Sequence, residues 1–306
     1  MGLQRRGDFF QFIKSDFDFY SRQYLRLVEA GRGWIPGLEH VRYNAQHGFT
    51  LQYMLLLAPL RPEDSEEMVN RKLALVARYV DILITWRLWN FRSIAYSTMQ
   101  YAAFLVMREI RGLGPDALAV HLHDLLGREG ETFASNDRLR VHQQNRYALH
   151  RILARMTDYI EVQSGEASRY GDYVNEGKTR YEIEHIWANH WRRHEKEFGH
   201  PADFAAFRNR LGGLLLLPKS VNASLKDLSY AEKLPYYNTE NLLARSLHSQ
   251  CYQHNPGFRH FRERTRLPFV AHEEFVSADL EQRSELYRMI AERVWNPDDL
   301  LEGDVC

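Results

Sequence analysis

The segments YEIEHI at residues 181–186 and NRLGGLLLLP at residues 209–218 decide how this sequence is interpreted. In the first segment polar and apolar residues alternate with a period of two, which predicts a short strand. In the second, two glycines precede four leucines and a proline, which predicts a tight turn into a buried strand. NASL at residues 222–225 then predicts the beginning of a helix. The local order is therefore strand, loop, strand, helix.

Helical patterns surround this core. The clearest one covers residues 144–163, where apolar side chains recur at the spacing of one helix face. Other stretches have the same period or end at glycine or proline, as helices do. Further helices are predicted over residues 8–29, 64–86, 93–111, 115–126, 240–252 and 281–295, and the helix that begins at NASL is expected to continue through residues 230–234. The expected fold class is mainly α, with helical-bundle regions around a small strand–strand–helix insert.

The composition is that of an ordinary globular protein. Of 306 residues, 44% are hydrophobic and 26% are charged, which argues against disorder. Lys plus Arg and Asp plus Glu both number 40, which excludes a uniformly basic protein that coats nucleic acid. The two cysteines, Cys251 and Cys306, exclude a disulfide framework. With no apolar segment near the N-terminus and none long enough for a bilayer, we expect a cytoplasmic protein without a membrane partner.

The second half of the chain is locally basic. Residues 185–265 contain 12 Lys or Arg and 7 Asp or Glu, an excess of 12 − 7 = 5 positive charges. A solvated polar face is the simplest explanation of such a run, but positive charge is also what a phosphate backbone requires of its partner. On the second explanation, the candidate DNA-binding residues are Arg208, Arg210, Lys219, Lys226 and Lys233.

Three polar residues of this region have the functional groups needed to hydrolyse a phosphodiester. Glu184 and Asn222 carry hard oxygen ligands, which suit Mg²⁺ or Mn²⁺. A neutral His185 beside such a metal can take a proton from water near neutral pH. Each residue also has a structural explanation: a hydrogen-bonded histidine, a salt bridge from Glu184 to a nearby arginine, and a helix N-cap for Asn222.

These segments together resemble an HNH (His-Me finger) nuclease, whose core is a ββα-metal motif. More narrowly, they are similar to the C-terminal nuclease domain of GmrSD-type, modification-dependent restriction enzymes, including the SspE-like anti-phage proteins. Beyond EHI at residues 184–186 and RNRLGGLLLLPK at 208–219, the resemblance includes YAEK at 230–233 and NLLARSL at 241–247. It implies a metal-dependent DNA endonuclease or nickase that serves as the effector of an antiviral restriction system.

The resemblance assigns roles to individual residues. It implies that His185 is the general base, that Glu184 and Asn222 are metal ligands within the catalytic set, and that Lys233 holds a phosphate. The family usually has Gly-Asn where this chain has Gly212-Gly213. The side-chain clamp on the loop that bears the histidine is therefore either lost or supplied by Asn209.

The resemblance also implies a partner. Proteins of this type carry an N-terminal ParB-like nucleotide-handling domain with a DGQQR signature, which is absent from this sequence. We therefore expect DNA and a ParB-like domain or subunit as partners. The expected domains are residues 1–175, a helical domain that docks the partner or guides DNA, and residues 176–306, an HNH-like nuclease domain with C-terminal helices.

Two other functions remain open from the sequence. One is a catalytically inactive HNH-like module that binds DNA or docks a partner, an alternative that the glycine at position 213 keeps open. The other is a helical interaction protein with a zinc-stabilised insert. Its candidate ligands are His248, Cys251, His254 and His260, although a spacing of three residues drifts around a helix.

Overall fold

The protein is mainly helical, as the sequence predicts. The computed structural model describes residues 4–302, so Cys306 and residues 1–3 of the N-terminal segment considered above lie outside the described residues. The chain divides into two compact units, residues 1–132 with 295–306 and residues 133–294. Within residues 4–302, no helix is long and apolar enough to cross a bilayer.

The first unit consists of helices. A π-helical turn, Phe12–Phe17, interrupts the long helix predicted over residues 8–29. The unit also contains a 3₁₀ turn, Pro297–Leu300. Its α-helices are α1 (Arg6–Gln11), α2 (Asp18–Arg32), α3 (Glu39–Gln46), α4 (Gln52–Leu57), α5 (Glu66–Trp89), α6 (Tyr96–Ile110) and α7 (Pro115–Gly127).

Helix α5 forms the centre of the first unit. Its N-terminus is capped by Ser65, whose hydroxyl accepts a hydrogen bond from the backbone N–H of Met68 at 3.2 Å. Most of its residues from Val69 onward are buried, and it packs against α3, α4 and α7. Helix α5 is buried on most of its circumference because neighbouring helices surround it.

The second unit contains the two strands, which pair antiparallel in one sheet. The 3₁₀ turns of this unit are Phe133–Ser135, Trp191–His194 and Leu211–Gly213. The α-helices and strands, in chain order, are α8 (Arg146–Gln163), α9 (Tyr170–Tyr173), β1 (Tyr181–His185), α10 (Pro201–Arg208), β2 (Leu214–Pro218), α11 (Lys219–Leu225), α12 (Tyr230–Tyr237), α13 (Leu242–Arg245), α14 (Gln250–His254), α15 (Pro256–Thr265) and α16 (Ser277–Val294).

The boundary between the units differs from the expected one at residues 175–176. Helix α8 belongs to the unit that contains the strands, because it packs on β2, α13, α15 and α16. Strand β2 is apolar on both faces, and Leu214 to Leu217 are all buried. A strand covered on both faces needs helices on either side, and α8 is one of them.

Two predicted helix boundaries were wrong. The single helix expected over residues 240–252 is two short helices, α13 and α14. Helix α12 was expected to end before Pro235 but continues to Tyr237. Lys233 and Tyr237, one helical turn apart on either side of the proline, both donate hydrogen bonds to Glu184, and these contacts hold the turn in place.

Candidate functional site

Strand β1 positions the central residues of the candidate site. It pairs with β2 in a register that sets Glu184 opposite Leu215 and His185 opposite Leu214. Successive side chains on a strand point to opposite faces of the sheet. Glu184 and His185 therefore have different surroundings although they are neighbours in sequence.

His185 is held as a neutral imidazole. Its Nε2 lies 2.8 Å from Oδ1 of Asn209. An amide oxygen only accepts hydrogen bonds, so Nε2 carries the proton and Nδ1 keeps its lone pair. Burial is the main cause that lowers the pKa of His185 to about 3, and the positive charges of Arg208, Arg146 and Lys233 lower it further. The hydrogen bond to Asn209 acts in the opposite direction and raises the pKa. The side chain is therefore neutral near pH 7, and its Nδ1 accepts no hydrogen bond within residues 4–302. A pKa this low also makes Nδ1 a weak proton acceptor until negative charge arrives beside it.

Glu184 lies inside the protein, on the other face of the strand. Its side chain is buried, and Oε1 accepts hydrogen bonds from Nζ of Lys233 at 2.7 Å and from the hydroxyl of Tyr237 at 3.0 Å. Within residues 4–302, Oε2 accepts no hydrogen bond. The carboxylate is therefore in an ion pair with a lysine, not with the arginine that the sequence suggested, and one of its oxygen atoms is unengaged.

Lys233 is not at the surface where a DNA phosphate would lie. Only 1% of the residue is exposed. Its ammonium group donates to Glu184 and, at 2.8 Å, to the backbone oxygen of His185. Burial lowers the pKa of Lys233, and the charge of Glu184 opposes that shift. Lys233 thus joins α12 to the end of β1, in place of the phosphate contact that the sequence predicted.

Asn222 lies within helix α11, not at its beginning. Since α11 begins at Lys219 after Pro218, the N-cap explanation of Asn222 was wrong. Its Nδ2 lies 3.5 Å from Oε2 of Glu182, and its Oδ1 makes no hydrogen bond within the described part of the chain. Helix α11 packs on both strands, which brings Asn222 to the face of β1 that carries Glu182.

The remaining predicted cations have different environments. Arg208 is half-buried, donates through Nε to the backbone oxygen of Trp187 at 2.7 Å, and has a pKa lowered by burial. Arg210 lies over the ring of Phe207, with its guanidinium carbon 4.2 Å from the ring centroid. Lys219 and Lys226, at the two ends of α11, are exposed to solvent.

The family model of the GmrSD restriction endonucleases, C-terminal domain, matches residues 131–288. The chain belongs to this family. The match confirms the resemblance seen in the sequence, and it indicates an effector role in restriction with DNA as the substrate. No curated protein and no solved structure matches the chain.

The GmrSD match covers β1, β2 and α11, and its last residue lies within α16. The glycine pair before β2 lies against α16. A Cβ on Gly212 would meet the backbone oxygen of Leu280 and the backbone nitrogen of Ser284, each at 2.4 Å. A Cβ on Gly213 would meet Cδ1 of Leu280 at 2.9 Å and the backbone oxygen of Arg208 at 3.1 Å. Leu280 therefore fills the space that an asparagine at position 213 would need.

Replacing Gly213 by the asparagine expected of GmrSD-type proteins should destabilise this chain. We expect a loss of about 1–3 kcal/mol in the free energy of unfolding, because the larger side chain overpacks the contact with Leu280. Urea-induced unfolding followed by circular dichroism measures it. Gly199→Asn is the matched control, since a Cβ at position 199 meets nothing within 4 Å. If Gly213→Asn were as stable as that control, the contact with Leu280 would not constrain position 213.

Sequence reasoning missed two residues of the site and left a third open. Glu182 shares a strand face with Glu184, and the period of two was the signal that could have found it. Arg146 lies at the beginning of α8, and nothing in the sequence links it to His185. Asn209 was one of two alternatives for the clamp, and its bond to His185 favours it.

The zinc alternative has no matching cluster within residues 4–302. There, no group of three or more His, Cys, Asp or Glu lies close enough together to hold a metal ion. Cys251 is buried, and burial raises the pKa of its thiol to about 11. The Nδ1 of His248 accepts a hydrogen bond from the backbone of Gln250 at 3.1 Å.

Proposed function

We propose that this chain is a metal-dependent DNA endonuclease or nickase of the HNH (His-Me finger) kind. In this proposal it is the effector part of a modification-dependent anti-phage restriction system. The observation that carries the proposal is His185, which stands at the end of β1 with Nε2 held by Asn209 and Nδ1 free. The order β1, β2, α11 supplies the strand–strand–helix arrangement that such a site requires.

His185 acts as the general base. Its Nδ1 takes a proton from a water molecule, and the water oxygen then attacks the scissile phosphorus. The bond between the phosphorus and the leaving oxygen breaks, and that oxygen takes a proton from solvent. Asn209 fixes the tautomer by keeping the proton on Nε2. Arg146 and Arg208 act electrostatically on His185 and attract the phosphate to the same place. Their positive charge also stabilises the additional negative charge of the transition state.

Glu184 and Asn222 are the proposed ligands for Mg²⁺ or Mn²⁺. The atoms that would hold the ion are Oε2 of Glu184 and Oδ1 of Asn222, hard oxygen atoms without hydrogen-bond partners in residues 4–302. Glu184 faces away from His185 across β1, so joint action of the ion and the base requires the end of the strand to bend. Glu182 stands beside Asn222 as a further carboxylate. When bound, the ion supplies Lewis-acid stabilisation of the phosphoryl and leaving oxygens.

The parts of the chain outside this site have proposed roles as well. The helices before the strands, expected as a domain over residues 1–175, dock a ParB-like partner or guide DNA. Lys219 and Lys226 are exposed at the two ends of α11 and contact the DNA backbone. Arg208 contributes positive potential at His185, and Arg210, over the ring of Phe207, is a further candidate contact to DNA.

Removal of the divalent ion is expected to abolish cleavage. Supercoiled plasmid incubated with Mg²⁺ or Mn²⁺ should be nicked or linearised, and EDTA should leave it intact. Asn222→Ala should raise the Mn²⁺ concentration needed for half-maximal cleavage by about tenfold or more. If the plasmid stayed intact with metal, and also after addition of a ParB-like partner, the inactive docking module would be the better explanation.

A further inference from the structure

A cavity of about 640 Å³ lies beside the outer edge of β1. It is lined by the beginning of α8, by residues 174–176 and by Arg180 to Ile183, all within the second unit. Its volume is within the range of small-molecule sites, about 300–1,000 Å³. We call it the Tyr147 cavity. The lining residues that matter here are Arg146, Tyr147, His150, Arg151, Arg180 and Glu182.

The ring of Tyr147 is a supported aromatic surface. The guanidinium carbon of Arg151 lies 3.5 Å from the ring centroid. Arg151 is only 7% exposed, and its Nη2 donates to Oε1 of Glu176 at 3.2 Å, so the guanidinium is fixed. Tyr147 itself is 49% exposed. A half-exposed ring on an immobilised cation is a suitable platform for stacking a planar group.

Arg146 supplies an uncommitted positive charge at the same place. It is exposed and makes no hydrogen bond or ion pair among residues 4–302, whereas Arg180 is paired with Glu182 at 2.9 Å. The charge of Arg146 acts on both His150 and His185. The charge of Arg146 therefore acts on both the cavity and the proposed catalytic base. A side chain in that position can bind a phosphate of the DNA strand that reaches His185.

Two buried polar atoms behind the cavity wall have no hydrogen-bond partner within residues 4–302. One is Nδ1 of His150, whose Nε2 donates to the backbone oxygen of Tyr181 at 3.0 Å, and the other is Nε of Arg151. Neither atom is accessible to solvent, so the groups open to a ligand are the ring of Tyr147 and the guanidinium of Arg146. An inorganic phosphate can pair with the guanidinium of Arg146 but has no planar face to lie on Tyr147. A nucleotide offers both a phosphate and a planar face, so it fits the cation and the ring together.

We propose that the Tyr147 cavity binds one unpaired nucleotide of the DNA strand on which His185 acts. The base stacks on Tyr147, and the adjacent phosphate lies at Arg146. The nucleotide is unpaired because a base reaches such a ring only after it has left its own stack. This inference rests on the proposed function and adds to it a preference for locally melted or single-stranded DNA next to the cut.

The test is binding of single-stranded DNA by the full chain in EDTA, where no cleavage is expected. The probe is a fluorescein-labelled strand of mixed sequence, about 12 nucleotides long, within the usual range of site sizes. Tyr147→Leu should weaken binding about tenfold, and Tyr147→Phe should stay within about twofold, because the stacking face remains. Tyr236→Leu is the matched control, since Tyr236 is also 49% exposed.

Charge and competition give independent readouts. Arg146→Gln should lower the slope of log affinity against log salt by about one, whereas the exposed Arg259 changed to Gln should leave it unchanged. A deoxynucleoside monophosphate should displace the strand at concentrations where inorganic phosphate does not. Equal competition by phosphate, unchanged binding in Tyr147→Leu, or no binding by the wild type would each overturn the inference.

The failure of one proposal can be told from the failure of the other. Loss of binding in Tyr147→Leu without any plasmid cleavage by the wild type would leave the nucleotide site standing and remove the nuclease. Metal-dependent cleavage by the wild type, together with normal binding of single-stranded DNA by Tyr147→Leu, would support the nuclease and remove the nucleotide site.

Discussion

His185→Ala should lower the rate of plasmid cleavage by about 10²–10⁴-fold, the usual contribution of a general base. The physical reason is that Nδ1 of His185 is the free base of the site, and alanine supplies no proton acceptor in its place. The measurement is the initial rate of nicking of supercoiled plasmid with Mn²⁺. His254→Ala, which removes an exposed histidine of the same unit, should cleave like the wild type.

Two observations would contradict this expectation. Equal residual cleavage by wild type and His185→Ala would indicate a contaminating nuclease and would remove His185 from its role. A variant that has lost its helical circular dichroism signal would show a folding defect in place of a catalytic one. His185→Gln, which keeps a polar side chain of similar length, then separates the two effects.

The second large effect is expected at Lys233. Lys233→Met should lower the free energy of unfolding by about 3–5 kcal/mol, because the carboxylate of Glu184 then remains buried without its cation. Glu184 is 4% exposed, so water cannot replace the lost partner. The measurement is urea-induced unfolding followed by circular dichroism. Lys226→Met, at an exposed lysine, should change stability by no more than about 0.5 kcal/mol.

A double-variant cycle tests the same pair more strictly. Lys233→Met combined with Glu184→Met should be less destabilised than Lys233→Met alone, since no uncompensated charge remains. Strictly additive losses would show that the two side chains do not interact.

The strands could be predicted because their signals are local. The alternation in YEIEHI predicted a strand over residues 181–186, and β1 covers Tyr181–His185. GG followed by LLLLP predicted a turn into a buried strand, and the 3₁₀ turn Leu211–Gly213 leads into β2. Helix α8 likewise agrees with its apolar spacing over residues 144–163. In each segment the residues that decide the structure are neighbours in the chain.

The partners of the site residues could not be predicted because they come from distant segments. Lys233 meets Glu184 across 49 positions, and the charge alone made it a candidate for DNA contact. The run of residues 240–252 has helical composition, but Asn241 caps a new short helix by accepting from the backbone of Ala244. Tertiary contacts and capping outweighed the periodicity there.

The contact between Gly213 and Leu280 has an evolutionary consequence. A lineage that combined asparagine at position 213 with leucine at position 280 would carry a crowded and less stable pair. The permitted route goes through a small residue at one of the two positions. Relatives with asparagine at 213 should therefore carry a smaller side chain at 280. The two positions should therefore covary across the family although they lie on separate elements.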